Sequence, residues 1–221
     1  MRNCVRVLSC LVICLPFAGC VSQKTTAVDD TNQFQGKTVA VTARPRVTFM
    51  AATAGKAMFA IAGAFAMAAS GNSIVAENGI GDPAPMISQD LLTAAEKRYG
   101  VTAASMAPVP IKSTDTAELA RAATGADFLI DVECNAQSFS YFPTDWTHYS
   151  VGSDFSVRVI DVRKAKLIAE GHCAVDSRSE TNHPTRDDLL ANKAARLKAT
   201  LDAQSTQCAA QFRREVLKIP D

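Results

Sequence analysis

Asp127-Phe128-Leu129-Ile130-Asp131-Val132-Glu133-Cys134 decides how this chain folds. Asp131 and Glu133 alternate with Ile130, Val132 and Cys134, the two-residue period of a strand whose faces meet different surroundings. The pattern can continue to Tyr141, where Pro143-Thr144-Asp145-Trp146 makes a turn. A second strand is expected over 151–162, with Phe155, Val157, Val159 and Asp161 in one register. Arg163-Lys164-Ala165 has room only for a tight turn, and 166–175 forms the third strand. Consecutive strands joined by such short links predict an antiparallel meander.

Upstream, residues 37–42 alternate and are rich in Val and Thr, which adds a strand. Arg44-Pro45-Arg46 interrupts it, because proline has no N–H to give a sheet ladder. Residues 49–69 are apolar or small apart from Thr53 and Lys56. Met58, Ile61 and Phe65 fall on one helical stripe, and Ala60, Ala64 and Ala68 on another. A helix apolar all round is buried in protein or meets lipid. One reading is a buried or half-buried helix packed through its alanines. The other is a segment that touches a membrane or lines an oligomer. Ser70-Gly71-Asn72 is expected to end it.

Asp82 and Pro83 open a further helix that Gly100 closes. Pro108 and Pro110 keep the next segment extended, and 115–123 is a short helix. Thr185 and Asp188 have capping-box spacing and start a last, long helix to about Leu217. Its expected apolar face is Leu190, Ala194, Leu197, Leu201, Cys208, Phe212 and Val216. The fold class is therefore α+β: an antiparallel sheet, or a mixed one, of about four strands, with helices packed on one face.

The N-terminus carries a different message. Arg2 and Arg6 precede a short apolar centre, and Leu15-Pro16-Phe17-Ala18-Gly19-Cys20 follows. The centre is too short to span a bilayer stably. The stretch resembles a bacterial lipoprotein signal with its lipobox, which implies removal of 1–19 and lipidation (palmitate among the acyl chains) of Cys20. No Asp follows Cys20, so by similarity to enteric sorting the periplasmic face of the outer membrane is the expected site. Residues 20–35 are polar and without periodicity, a flexible tether, and 36–221 is expected to be a single periplasmic domain.

Lys and Arg total 23 and Asp and Glu 22, a net charge of +1, which gives no electrostatic case for nucleic acid. Beyond the signal the cysteines are Cys20, Cys134, Cys173 and Cys208. In an oxidising compartment, with Cys20 acylated, one disulfide and one buried thiol is the simplest accounting. Cys173 with Cys208 is the expected pair, since a helix packed on the last strand can bring them to bonding range. Cys134 with Cys173 is the alternative, and separate thiols the third case.

Residues 125–175 combine a Gly-Ala-Asp start, a tyrosine-bearing hairpin and the run Arg-Val-Ile-Asp-Val-Arg-Lys-Ala-Lys-Leu-Ile-Ala-Glu-Gly. In this the chain resembles proteobacterial envelope lipoproteins. It is similar to the sheet-plus-helices domain of the curli-secretion lipoprotein, of penicillin-binding-protein activator lipoproteins and of the TolB amino-terminal domain. The resemblance implies a fold and carries no functional residue across.

Cys134, His172 and Cys173 lack the paired spacing of a zinc site, so no metal is expected. The histidines are His148, His172 and His183, and no nucleophile elbow or phosphate-cradling loop is present, so neither catalysis nor a cofactor is expected. Asp131 and Glu133 read as solvated surface. Tyr141, Phe142, Trp146 and Tyr149 gather aromatic area in one turn and are the candidate partner-binding residues. The expected function is a non-enzymatic lipoprotein, membrane-bound through its lipid, that binds or scaffolds an envelope protein or peptidoglycan-associated partner. A membrane-active homo-oligomer using 49–69 and a small-ligand carrier are the alternatives.

Overall fold

The computed structural model describes residues 25–105 and 108–220. The signal 1–19 and Cys20 lie outside the described residues. In chain order the elements are β1 (Thr38–Ala43), β2 (Phe49–Ala52), α1 (Ala54–Ala57), α2 (Ala60–Asn78), α3 (Pro83–Tyr99), β3 (Thr102–Ala103) and β4 (Val109–Pro110). There follow α4 (Thr116–Ala122), β5 (Phe128–Phe142), β6 (Asp145–Asp161), β7 (Lys166–Asp176) and α5 (Arg186–Glu215). The alternating run at 127–134 opens β5, which pairs antiparallel with β6 along its length, and β6 pairs antiparallel with β7.

The sheet is larger than the expected four strands, and it is mixed. Seven strands take part, in the order β3-β1-β5-β6-β7, with β2 beside β5 and β4 beside β1. β1 and β2 both run parallel to β5. Parallel neighbours need a long crossover, and the helices between β2 and β5 supply it. Phe49–Ala52 is therefore strand, not the start of the apolar helix: Phe49 and Ala51 are buried, and the strand lies on Gln137–Ser140.

The apolar helix is also displaced. It starts at Ala60 and runs through Ser70-Gly71-Asn72 to Asn78, where Gly79 takes a left-handed conformation (φ 60°). Gly71 does not break the helix because α2 crosses β2 there. A Cβ at Gly71 would sit 1.8 Å from the Phe49 carbonyl oxygen, so only glycine permits the approach. Ile74 and Val75 then join Phe49, Phe139, Tyr149 and Leu197 in one apolar cluster.

α3 is capped as its sequence indicates: the Asp82 carboxylate accepts from the Ala84 N–H, and Gly100 closes the helix. α5 has the full capping box, Thr185 with Asp188. Its first turn is set off by a kink in which Asn192, Lys193 and Ala194 adopt left-handed φ values of 52°, 56° and 55°. The kink changes the helix phase, so Leu189 is fully buried and Leu190 packs at the margin of the core. α3 and the body of α5 pack on the face carrying Phe128, Ile130, Val132, Phe155 and Val157. α4 packs on the opposite face, over Leu129 and Ile160, so the helices do not all share one face.

The expected tether is partly docked. The backbone of Thr26 exchanges hydrogen bonds with Glu170 at the outer edge of β7, and the Val28 N–H donates to the Val216 carbonyl. Val28 is fully buried, and Phe34 packs its ring on Tyr99 and Phe128. A polar segment with only two apolar anchors has no periodicity by which to be read, yet burying each side chain contributes about 1.5–3 kcal/mol.

Candidate functional site

Strand alternation sends Phe128, Ile130, Val132 and Cys134 to the helix-covered face and Asp131, Glu133 and Asn135 to the other. α4 shields only the Leu129 end of that second face, and beyond it the sheet is open. Its floor is an ion network. Asp131, with no exposed side-chain area, accepts from Arg44 Nε at 2.7 Å, Arg44 Nη2 at 2.8 Å, Arg158 Nε at 2.8 Å and Thr42 Oγ1 at 2.8 Å. Arg158 Nη2 also donates to Glu133 Oε2 at 2.5 Å. Arg44 spends its remaining donors on the carbonyls of Lys112 and Ser113.

Asp131 and Glu133 are thus not solvated surface. Burial opposes the charge on Arg44, but its hydrogen bond to Asp131 and the nearby carboxylates outweigh this and hold it above the ordinary guanidinium value. The partners were hidden in sequence because Arg44 lies 87 residues before Asp131. The signal was present as a charged residue on the strand that alternation aims at the α4 side.

Above this floor lies an open concavity of about 430 Å³, lined by Thr114, Glu133, Asn135, Arg158, Glu170 and His172. A second polar network orders its rim. Asp154 Oδ1 accepts from Asn135 Nδ2 at 2.7 Å and lies 2.7 Å from His172 Nε2, while Asn135 also donates to Ser156 Oγ at 2.8 Å. His172 therefore stands on the open face, with its neighbour Cys173 on the other. The face offers fixed cationic, anionic and hydroxyl groups side by side, the donor and acceptor set that recognises a polar partner.

Cys173 and Cys208 form a disulfide with Cα atoms 5.6 Å apart, which rules out Cys134 with Cys173. Cys134 is a buried thiol, and burial pushes it up to about 12. Among the described residues no group of three His, Cys, Asp or Glu is placed to hold a metal ion.

The aromatic turn divides. Trp146 is 63% exposed, its Nε1–H donating to the Pro143 carbonyl at 3.2 Å. Phe142 lies against His183, ring centroids 4.3 Å apart, and Tyr141 is half-buried. Tyr149 is buried and meets Phe139 edge-on, so it belongs to the core and is not available to a partner. The turn itself is held by Asp145, whose carboxylate accepts from the Thr147 hydroxyl and N–H and contacts His148 Nδ1. These contacts keep it well below the usual carboxylate range.

A separate apolar surface lies at α1 and the first half of α2. Met58, Phe59, Ile61 and Phe65 are 69–76% exposed, so the expectation that this stretch is buried fails for its largest side chains. Among the described residues no helix is long and apolar enough to cross a membrane.

No family model matches the chain, and no curated protein matches it. Solved structures similar to it include bacterial lipoproteins. Lipoprotein GNA1162 from Neisseria meningitidis is 15% identical, with 79% of this chain and 99% of that one covered and a TM-score of 0.30. The LpoB C-terminal domain from Escherichia coli is 17% identical, covering 64% and 84%, with a TM-score of 0.21. The PelC dodecamer from Paraburkholderia phytofirmans is 12% identical, covering 82% and 95%, with a TM-score of 0.27. Likenesses this loose transfer no activity, ligand or partner to the chain.

Proposed function

We propose that this chain is a non-enzymatic lipoprotein of the bacterial envelope, tied through Cys20 to the periplasmic face of the outer membrane, and that its domain binds another envelope component. The observation that carries the binding reading is the buried Arg44–Asp131–Arg158–Glu133 network beneath an open polar face. Desolvating Arg44 and Asp131 is costly, and apolar side chains of similar volume would stabilise a fold as well or better. Such a network is worth keeping where it holds surface groups in fixed positions for recognition. The partner contact then includes Glu170 and His172 on the open face and Trp146 with Phe142 and Tyr141 at the hairpin end. Its chemistry is that of a polar protein surface or a peptidoglycan-associated partner.

Capture from envelope extracts tests this, with lipidated wild type against Glu170→Lys and Trp146→Ala. Loss of the same partner in the charge-reversed variant supports the polar face, and loss in Trp146→Ala adds the hairpin end. If both folded variants keep every wild-type partner, neither surface is the binding site. Mass spectrometry of the mature amino terminus tests the anchor independently.

A further inference from the structure

Helix α2 is used unevenly. Its C-terminal half buries Ile74 and packs Gly71 on the Phe49 carbonyl, while Ile61 and Phe65 at its start, with Met58 and Phe59 before it, point away from the core. From residue 54 to 76 the only charge is Lys56, and the first carboxylate is Glu77. Lys56 also feels the positive charge of Arg186. Two aromatic rings and two aliphatic side chains, on a segment whose one charge is the cation Lys56, are the composition of a helix that rests in a bilayer interface.

Chain length adds a second constraint. Thr26 is fixed to Glu170, and Cys20 precedes it by six residues (26 − 20), at most ~20 Å of chain. Glu170 lies opposite Arg158, Arg158 opposite Asp131, and β2 ends at Ala52 opposite Ser140. The nine residues from 131 to 140 set the apolar end ~30 Å along the strands from Thr26. A lipid on Cys20 and the apolar end can then meet one bilayer only if the strands do not stand upright on it.

We propose that α1 and the first half of α2 form an interfacial phospholipid contact, a second attachment that keeps the domain from standing upright on the membrane. The orientation rests on the lipidation of Cys20, but the affinity for lipid does not. A second copy of the chain fits the patch less well. Its side chains offer roughly 500 Å², short of the ~800 Å² per partner of a standard interface. The concavity on the open face, where a second copy could receive these rings, is floored by charge.

The test uses the mature chain with Cys20→Ser and vesicles of phosphatidylethanolamine and phosphatidylglycerol. Removing the lipid isolates the patch, so failure here is distinct from failure of the anchor. Flotation with the vesicles is expected, weakened about tenfold or more in Phe59→Ser/Phe65→Ser. Ile61→Ser, on the same exposed surface, is read in parallel, so that a misfolded double variant does not decide the result. No flotation of the Cys20→Ser chain, or flotation untouched by folded variants, overturns the proposal. A dimer in size exclusion that the same substitutions dissolve also overturns it, in favour of a second copy.

Discussion

Arg44 Nε lies 2.7 Å from Asp131 Oδ1, and the two side chains are 4% and 0% exposed. A charge pair this deep is stable only while both members are present. Asp131→Asn leaves Arg44 and Arg158 facing each other without their shared carboxylate, which should cost about 3–5 kcal/mol. Urea unfolding measures it. Glu133→Gln, at a half-exposed position, should cost far less, and equal losses would mean that Asp131 is not the centre of the network.

The disulfide closes a loop of 35 residues and joins the last strand to the last helix. The double substitution Cys173→Ala/Cys208→Ala should lose about 3–4 kcal/mol in the chain-entropy account. Cys134, held as a protonated thiol by burial, should resist a thiol reagent at neutral pH in the folded mature Cys20→Ser chain. It should react stoichiometrically once denaturant is added, without reductant. Fast labelling of the native chain would contradict its burial.

Gly71→Ala puts a methyl group 1.8 Å from the Phe49 carbonyl oxygen. Neither backbone can yield without parting α2 from β2. The expected result is a loss of at least about 1–3 kcal/mol, together with new proteolytic cuts between residues 53 and 79. Gly79→Ala, where a Cβ meets nothing but the left-handed φ of 60° is strained, should cost less and leave the helix seated.

Asp127 supplies the pH dependence. Its carboxylate is held below the usual range first by the Thr38 N–H at 3.0 Å, with the Thr38 hydroxyl at 3.2 Å adding to it. A depressed folded value gives stability that is present above the unfolded value of about 3.9 and lost as the pH falls through the lower folded one. Asp127→Asn should therefore lose less stability than wild type between about pH 5 and about pH 3. The group is part-buried and the difference is a modest one, read by calorimetry at several pH values.

The meander was legible because β5, β6 and β7 alternate and are joined by short turns, and the caps at Asp82, Thr185 and Asp188 were legible because capping is local. What escaped was set by distant parts of the chain. Phe49–Ala52 has the composition of the helix that follows it, and only its parallel partner in β5 makes it a strand. Gly71 reads as a helix end until the Phe49 carbonyl stands against it. The kink at 191–194 puts Leu189 fully inside the core and Leu190 at its margin, a phase change that no periodic count detects. Of the candidate site, Trp146 was visible as an exposed aromatic, whereas the Arg44–Asp131 contact joins residues that no local pattern connects.

The pairing of Thr26 with Glu170 and of Val28 with Val216 sets where tension enters the domain when its amino-terminal segment is pulled. Load arriving at the amino terminus divides between the edge of β7 and the end of α5. Cys173, three residues beyond Glu170, and Cys208, eight before Val216, weld those two elements covalently. The domain is therefore reinforced at the place where a tug on its amino-terminal segment would otherwise begin to peel it open.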